Sequence, residues 1–359
     1  MELIKSLIKD GIILVLLDTK FNVVQVGFGA VGRLISRHLF ERENMNLVGI
    51  VDINPELENK KISELLDLPD IPEINIESNL KMVLKKTQVD VVIIITSSFL
   101  EKVTPIILEA IESNCHVISI CEELSYPFEN FSELSAKIDK LAKEKNVSVV
   151  GTGINPGYLM DLLPIVLTAP CQKVDQVTVT RMMNSAKRRN PFQEKIGTGL
   201  TIEEFQEKID KKEITGHVGL IQSIQLLLTA LGKEVDEILE FPPQAIIAEE
   251  EITTSFCTVP QGCVCGLQSK AVARKSEEDL IVLDFIAYAG DHEEYDSVVI
   301  EGTPRIIQKI EGGVHGDLGT VAMVVNLIPK ICTAKSGLLT MIDLPIPCNT
   351  AGIMKKAHD

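Results

Sequence analysis

Between Phe21 and Val51 the chain runs apolar, glycine-rich, amphipathic and apolar again: Val23-Val-Gln-Val26, Gly27-Phe-Gly-Ala-Val-Gly32, a helical stretch to Phe40, then Leu47-Val-Gly-Ile-Val51. That order predicts a strand, a tight turn, a helix and a second parallel strand. Apolar runs at 89–95, 116–120 and 147–150 predict more strands. Amphipathic stretches near Ser63–Leu66, Asn79–Lys86, Val103–Ser113 and Phe131–Lys145 predict the helices around them. Strands alternating with helices build a Rossmann-type, doubly wound parallel sheet in an α/β protein.

After Asn155-Pro-Gly157 the pattern changes. Strands are expected at Gln176–Arg181, Gln244–Phe256, Lys270–Arg274 and Asp279–Ala287, with a helix at His217–Leu231, which describes a second α+β domain built on an open sheet. The apolar stretch Leu318–Ile331 has helical spacing and is expected to return to the first domain. The expected organisation is therefore 1–20 an extension, 21–152 a dinucleotide-binding domain, 153–311 a substrate-binding and dimerisation domain, and 312–359 a returning C-terminal segment. The run Gly11–Leu17 is shorter than the ~20 residues that span a bilayer, and no cleavage pattern follows it. Residues 1–20 read as an amphipathic extension or as a start placed too early.

Charge narrows the partners. Among 359 residues, 35 Lys+Arg face 51 Asp+Glu, a net of −16, which repels nucleic acid and anionic membranes. The 8 cysteines are scattered rather than arranged as a disulfide framework, which fits a reducing cytoplasm. Cys257, Cys263 and Cys265 lack the paired spacing of a zinc site, so no metal is expected and the three read as buried strand thiols.

The turn Gly27-Phe28-Gly29-Ala30-Val31-Gly32 stands after an apolar strand and before a helix, where a dinucleotide needs it. Gly27 permits the tight turn, Gly29 lets the backbone approach a pyrophosphate, and Gly32 allows close helix packing. Asp52, at the end of the second strand, can accept hydrogen bonds from the adenosine ribose hydroxyls and would repel a 2′-phosphate. NAD is the expected cofactor, with NADP possible because Lys60 and Lys61 follow. Thr96 and Ser97 end the third apolar strand near the expected nicotinamide ribose, and Asn155 is a candidate for the nicotinamide carboxamide. The Asn155-Pro-Gly157 segment reads equally as an interdomain hinge.

Glu122 and Glu123 follow the strand at 116–120, beyond the carboxyl end of the sheet, where open α/β sheets bind ligands. A carboxylate there can take a proton from an ammonium or hold a developing iminium. The alternative is a pair of helix-start or solvated surface groups.

The segments Cys121-Glu-Glu-Leu-Ser-Tyr-Pro127, Gly151-Thr-Gly-Ile-Asn-Pro-Gly-Tyr-Leu-Met-Asp-Leu-Leu-Pro164, Gly216-His-Val-Gly-Leu-Ile-Gln-Ser223, Gly312-Gly-Val-His-Gly-Asp317 and Gly337-Leu-Leu-Thr-Met-Ile-Asp-Leu-Pro345 together resemble the 2,4-diaminopentanoate dehydrogenase family. The resemblance runs from about Asn22 to Pro347. It extends in architecture to dihydrodipicolinate reductases, whose His-His and Lys signature is absent here. What it implies is NAD(P)-dependent oxidative deamination of 2,4-diaminopentanoate to 2-amino-4-oxopentanoate and ammonia in ornithine degradation, reversible as reductive amination. It puts the essential carboxylate at Glu123 or Glu122. Glu123 is preferred because it stands where related oxidoreductases keep a catalytic Lys.

On that reading the substrate carboxylate needs a cation. Arg181, ending the strand Gln176–Arg181, is preferred over Lys187, Arg188 and Arg189, which read as a solvated basic loop. His217 is either a pocket contact or the first residue of a helix, and Tyr158 and Met160 are either the apolar wall of the site or core. Asp317 is expected to cap the following helix, with His315 a candidate contact. Two other functions compete: a non-catalytic dinucleotide sensor, and a dehydrogenase of another small amino, keto or hydroxy acid. The open second sheet suggests a homodimer.

Overall fold

A computed structural model describes residues 20–350, and the chain divides into two compact units. One holds the described residues up to Ile154 and from Gly316 onward; the other is Asn155–His315. Apart from Lys20, the expected extension lies outside the described residues, as do residues 351–359.

The first unit is a parallel sheet of seven strands. Its strands are β1 (Phe21–Val26), β2 (Met45–Val51), β3 (Ile76–Glu77), β4 (Val91–Ile94), β5 (His116–Ser119) and β6 (Ser148–Gly151). They lie in the order β3-β2-β1-β4-β5-β6, and the short strand Gly337–Leu339 continues the sheet beyond β6. The chain leaves β1 towards β2 and β3, then crosses back to β4, so the strand order reverses between β1 and β4. Open α/β sheets bind ligands outside the carboxyl ends of the strands at such a switch point. All four residues of β4 have no exposed surface. A sheet covered on both faces requires such unbroken apolar runs.

The helix Gly316–Ile331 packs against the helix Ala30–Phe40 within this unit. Arg42, 1% exposed, fastens the neighbouring C-terminal chain by donating to Asn326 Oδ1 and Thr350 Oγ1, each at 2.9 Å. Asp317 falls inside the first turn of the helix rather than before it, so its place is not the cap that the sequence suggests. A carboxylate in that turn still complements the positive end of the helix dipole.

The second unit holds a mixed sheet. Its long strands are β7 (Lys173–Asn184), β12 (Val264–Lys275), β13 (Glu278–Tyr288) and β14 (Tyr295–Thr303); β8 (Glu237–Glu240), β9 (Gln244–Ile247) and β15 (Ile306–Glu311) are short. The order is β15-β14-β7-β13-β12-β8, with β9 also on β12, while β10 (Ile252–Thr253) and β11 (Thr258–Val259) form a separate ribbon. The single strand expected over Gln244–Phe256 is thus two short pieces. β7 runs three residues beyond Arg181, so Arg181 lies within the strand. The helix expected from His217 begins at Leu220, because Gly216 and Gly219 take positive φ and keep the chain in a turn until then. Of the three clustered cysteines only Cys265 lies in a strand and is buried; Cys257 and Cys263 are half-buried outside the strands. All three pack with Val259, Ala248 and Ala289, and burial pushes the Cys265 thiol up to about 11.

Asp161 anchors the start of this unit. It has no exposed surface, and its carboxylate accepts from the N–H groups of Gly157 (2.7 Å) and Leu162 (2.6 Å) and from Ser223 Oγ (3.0 Å). Asp161→Ala strands three donors and is expected to lower stability by about 3 kcal/mol in urea unfolding, with Asp161→Asn less damaging.

Candidate active site

In the first unit the fingerprint residues gather at the carboxyl ends of β1 and β2. Gly27 has φ +102°, and a Cβ there would lie 2.4 Å from the Ile95 carbonyl oxygen. A Cβ on Gly32 would meet the Gly27 oxygen at 2.4 Å. Gly29 differs: its φ is −73°, it is exposed, and nothing lies within 4 Å of where its Cβ would be. The open space sits where a pyrophosphate would pass, at the N-terminus of the helix Ala30–Phe40. The first N–H groups of a helix have no partner within it, so Ala30 and Val31 offer donors to an anion.

Asp52 closes the turn from β2. Its Oδ2 accepts from Phe28 N (2.6 Å) and its Oδ1 from Asn54 N (2.8 Å). Each carboxylate oxygen keeps a further lone pair for a ribose hydroxyl. The Phe28 N–H is therefore spent on Asp52, and its ring is buried beneath the Arg33 guanidinium, 4.7 Å from the ring centroid. Lys61 is paired with Glu73, which leaves Lys60 as the more available of the two lysines for a 2′-phosphate. The residues present thus fit an NAD-type dinucleotide. Gln25, which the sequence reading did not single out, lies beneath the turn with no exposed surface and donates to the carbonyls of Gly27 and Gly32.

The ends of β4 and β5 bring the remaining candidates of this unit together. Thr96 is exposed, and Ser97 Oγ accepts from Phe99 N at 3.2 Å. Glu122 and Glu123 open a 3₁₀ turn, and both are half-buried. The Glu123 N–H donates to Ser98 O (3.3 Å), and its carboxylate Oε2 accepts from Leu100 N (2.6 Å), the first residue of the helix Leu100–Glu112. Glu123 is therefore a helix-start carboxylate and also a candidate base, and the two roles are compatible. Burial raises its pKa above the ordinary glutamate value, the Leu100 N–H opposes that, and the charge of Glu101 adds to it.

The second unit presents a different set. Arg181 is 2% exposed rather than accessible at a strand end. Its Nη2 donates to Val314 O at 2.7 Å, and its Nε lies 3.7 Å from Asp296 Oδ1. Asp296 Oδ2 in turn accepts from Val314 N at 2.7 Å, so the buried pair grips the N–H and the carbonyl of one residue. Arg181 lines a cavity of about 160 Å³ together with Lys187, Arg188, Glu294, Asp296 and His315. Lys187 is paired with Glu294, and Arg188 is half-buried, so the basic loop is built into the pocket rather than simply solvated.

His217 is half-buried and stacks on Phe285, with ring centroids 4.4 Å apart and planes at 14°. Its Nε2 lies 2.6 Å from Asn155 Nδ2, so Asn155 is engaged within this unit, with its Oδ1 buried and without a partner among the described residues. Burial, followed by the positive charges of Arg181 and Lys195, pushes the imidazole down to about 3. Met160 is core, whereas Tyr158 is half-buried.

Fold and site together define a nicotinamide-dinucleotide oxidoreductase. Residues 21–152 match an oxidoreductase family with an NAD-binding Rossmann fold, and residues 158–359 match the 2,4-diaminopentanoate dehydrogenase C-terminal domain. The chain is 33% identical to the 2,4-diaminopentanoate dehydrogenase of Acetoanaerobium sticklandii, over 91% of this chain and 94% of that one. The chain belongs to the 2,4-diaminopentanoate dehydrogenase family. It is also 22% identical to an amine dehydrogenase of Streptomyces virginiae, over 90% of this chain and 96% of that one. Its fold matches the structure of the amine dehydrogenase from Mycobacterium smegmatis with a TM-score of 0.82 at 21% identity, covering 93% and 98% of the two chains. The protein is an NAD-dependent dehydrogenase, as the glycine turn and Asp52 suggest.

Two outcomes follow from this geometry. Gly29→Ala should melt within a degree or two of wild type yet bind NADH at least about tenfold more weakly, whereas Gly32→Ala should lose stability outright; melting curves beside fluorescence titration separate them. His217 stays neutral in the folded protein down to about pH 3, against an ordinary value of 6.5. Between those values the unfolded chain binds the extra proton, so this contribution to stability is complete above the unfolded value and is lost as pH falls below it. The urea midpoint of His217→Gln should therefore fall less steeply than that of wild type between pH 6 and pH 4.

Proposed function

We propose that the protein catalyses NAD-linked oxidative deamination of 2,4-diaminopentanoate to 2-amino-4-oxopentanoate and ammonia, in the breakdown of ornithine, and the reverse reductive amination. Glu123 carries the reading: a half-buried carboxylate with a raised pKa, fixed at the carboxyl end of the sheet in a unit that has a dinucleotide turn. The substrate named for the A. sticklandii relative supports the choice of amine.

Bound NAD would accept the hydride from C4 of the substrate. Before that, the C4 ammonium must lose a proton, since a C–H beside a cationic nitrogen cannot depart as hydride. Leu100 N–H holds Oε2 of Glu123 and withdraws charge from it, so Oε1 is the more basic oxygen and takes this proton. Once hydride has left, the Glu123 acid releases that proton to solvent, and the carboxylate so regenerated offsets the positive charge of the iminium until water adds to C4 and ammonium leaves. Arg181, in the cavity of the second unit, is the cation proposed for the substrate carboxylate. His217, held neutral by burial, and Tyr158 are the further substrate contacts proposed. A homodimer formed through the second sheet completes the proposal, and light scattering that shows a monomer would contradict it.

The test is the initial rate of NADH formation with 2,4-diaminopentanoate beside ornithine, lysine and alanine. Turnover should be confined to the diaminopentanoate, and Glu123→Gln should lower kcat by at least about 100-fold while leaving NADH affinity within about twofold. Tight NADH binding with no amine turned over would favour a sensor. Because the base must be ionised, the acid limb of kcat/KM should lie above the ordinary glutamate value of 4.5, the direction in which burial shifts Glu123.

A further inference from the structure

Every other residue of β1 except Asn22 is apolar, yet Gln25 stands one residue before its carboxyl end with no exposed surface. Both of its amide hydrogens are used. Nε2 donates to Gly27 O at 2.9 Å and to Gly32 O at 3.1 Å, and Oε1 accepts from Ser36 Oγ at 3.0 Å, Ser36 being likewise without exposed surface. Reversing the amide would set its oxygen against two carbonyls, so the network fixes one orientation. The two carbonyls it binds belong to the first and last glycines of the turn. A carbonyl oxygen directed at a pyrophosphate would repel it, whereas one bonded to a buried amide is held toward the interior.

We infer that Gln25 is the positioning residue of the cofactor turn: by donating to both glycine carbonyls it holds the turn with its N–H groups, not its carbonyls, available to the dinucleotide phosphates. This rests on the first unit binding NAD and adds a residue that the glycine fingerprint does not contain. Apolar residues of similar size would fill the same space, so the distinctive property is donation rather than volume.

Gln25→Glu tests donation directly. An ionised glutamate offers the two carbonyls only acceptors, while its protonated form can again donate to one of them. NADH affinity, read by fluorescence titration on the full-length protein, should be at least about tenfold weaker than wild type at pH 8.5 and recover several-fold at pH 6.0. Wild type should change less than about twofold over that range. Gln25→Leu should be weak at both values. Ser36→Ala, which frees the amide to turn, should weaken NADH binding measurably and keeps the inference testable should both Gln25 variants fail to fold. Wild-type affinity in Gln25→Glu at pH 8.5, an equal loss at both pH values, or unchanged binding in Ser36→Ala would each overturn the inference. Absence of NADH binding by wild type would instead overturn the cofactor reading on which it rests.

Discussion

The closeness with which the helix Ala30–Phe40 approaches the turn before it governs the first unit. Any side chain at Gly32 would collide with the Gly27 carbonyl, and any at Gly27 with the backbone of Ile95 at the end of β4. Those contacts fix the helix N-terminus over the switch point of the sheet, next to the exposed Gly29. Asp52 then locks the turn from the neighbouring strand through Phe28 N, and Gln25 locks it from below. An anion site made of backbone donors is only as good as its rigidity, because N–H groups that must be reoriented on binding reduce the net gain. The polar group in the core of β1 and the carboxylate just after β2 are thus parts of a single arrangement.

The second unit uses charge differently. Arg181 and Asp296 sit directly opposite each other in the β7–β14 register, and both are almost wholly buried. Isolated burial of either would be costly, and their 3.7 Å approach supplies only part of the compensation. A further part comes from Val314, whose N–H and carbonyl are both held by the pair, while Arg181 Nε and Nη1 have no hydrogen-bond partner among the described residues. This grip sets the course of the chain at Gly312–His315, where it lines the pocket. Removing one partner would leave an uncompensated buried charge, which explains why an arginine in the middle of a strand is not a replaceable surface cation.

The two sheets were not equally legible in the sequence. Strands of the parallel sheet are covered on both faces, so Val91–Ile94 and its neighbours appear as unbroken apolar runs bounded by turns. In the mixed sheet the half-covered strands alternate: β15 reads Ile-Ile-Gln-Lys-Ile-Glu, and the charged half of that pattern masks the strand. The period of two in β7 placed Arg181 on the same face as Val177 and Val179, which are buried, but residue type argued for the surface; its partner Asp296 is revealed only by strand pairing. The helix Ile202–Asp210 carried a readable signal in Thr201 and Glu204, which form a reciprocal cap. For the carboxylates, chain position located Glu122 and Glu123, while the bond from Leu100 depends on β4 lying beside β5.

The oxidative deamination proposed here must yield ammonia together with NADH. Its most direct measurement is the stoichiometry of products when the purified protein and NAD are given 2,4-diaminopentanoate, with ammonia and NADH quantified in the same reaction. One ammonia for each NADH, with 2-amino-4-oxopentanoate accumulating, is the predicted result. NADH formed without ammonia would contradict the account.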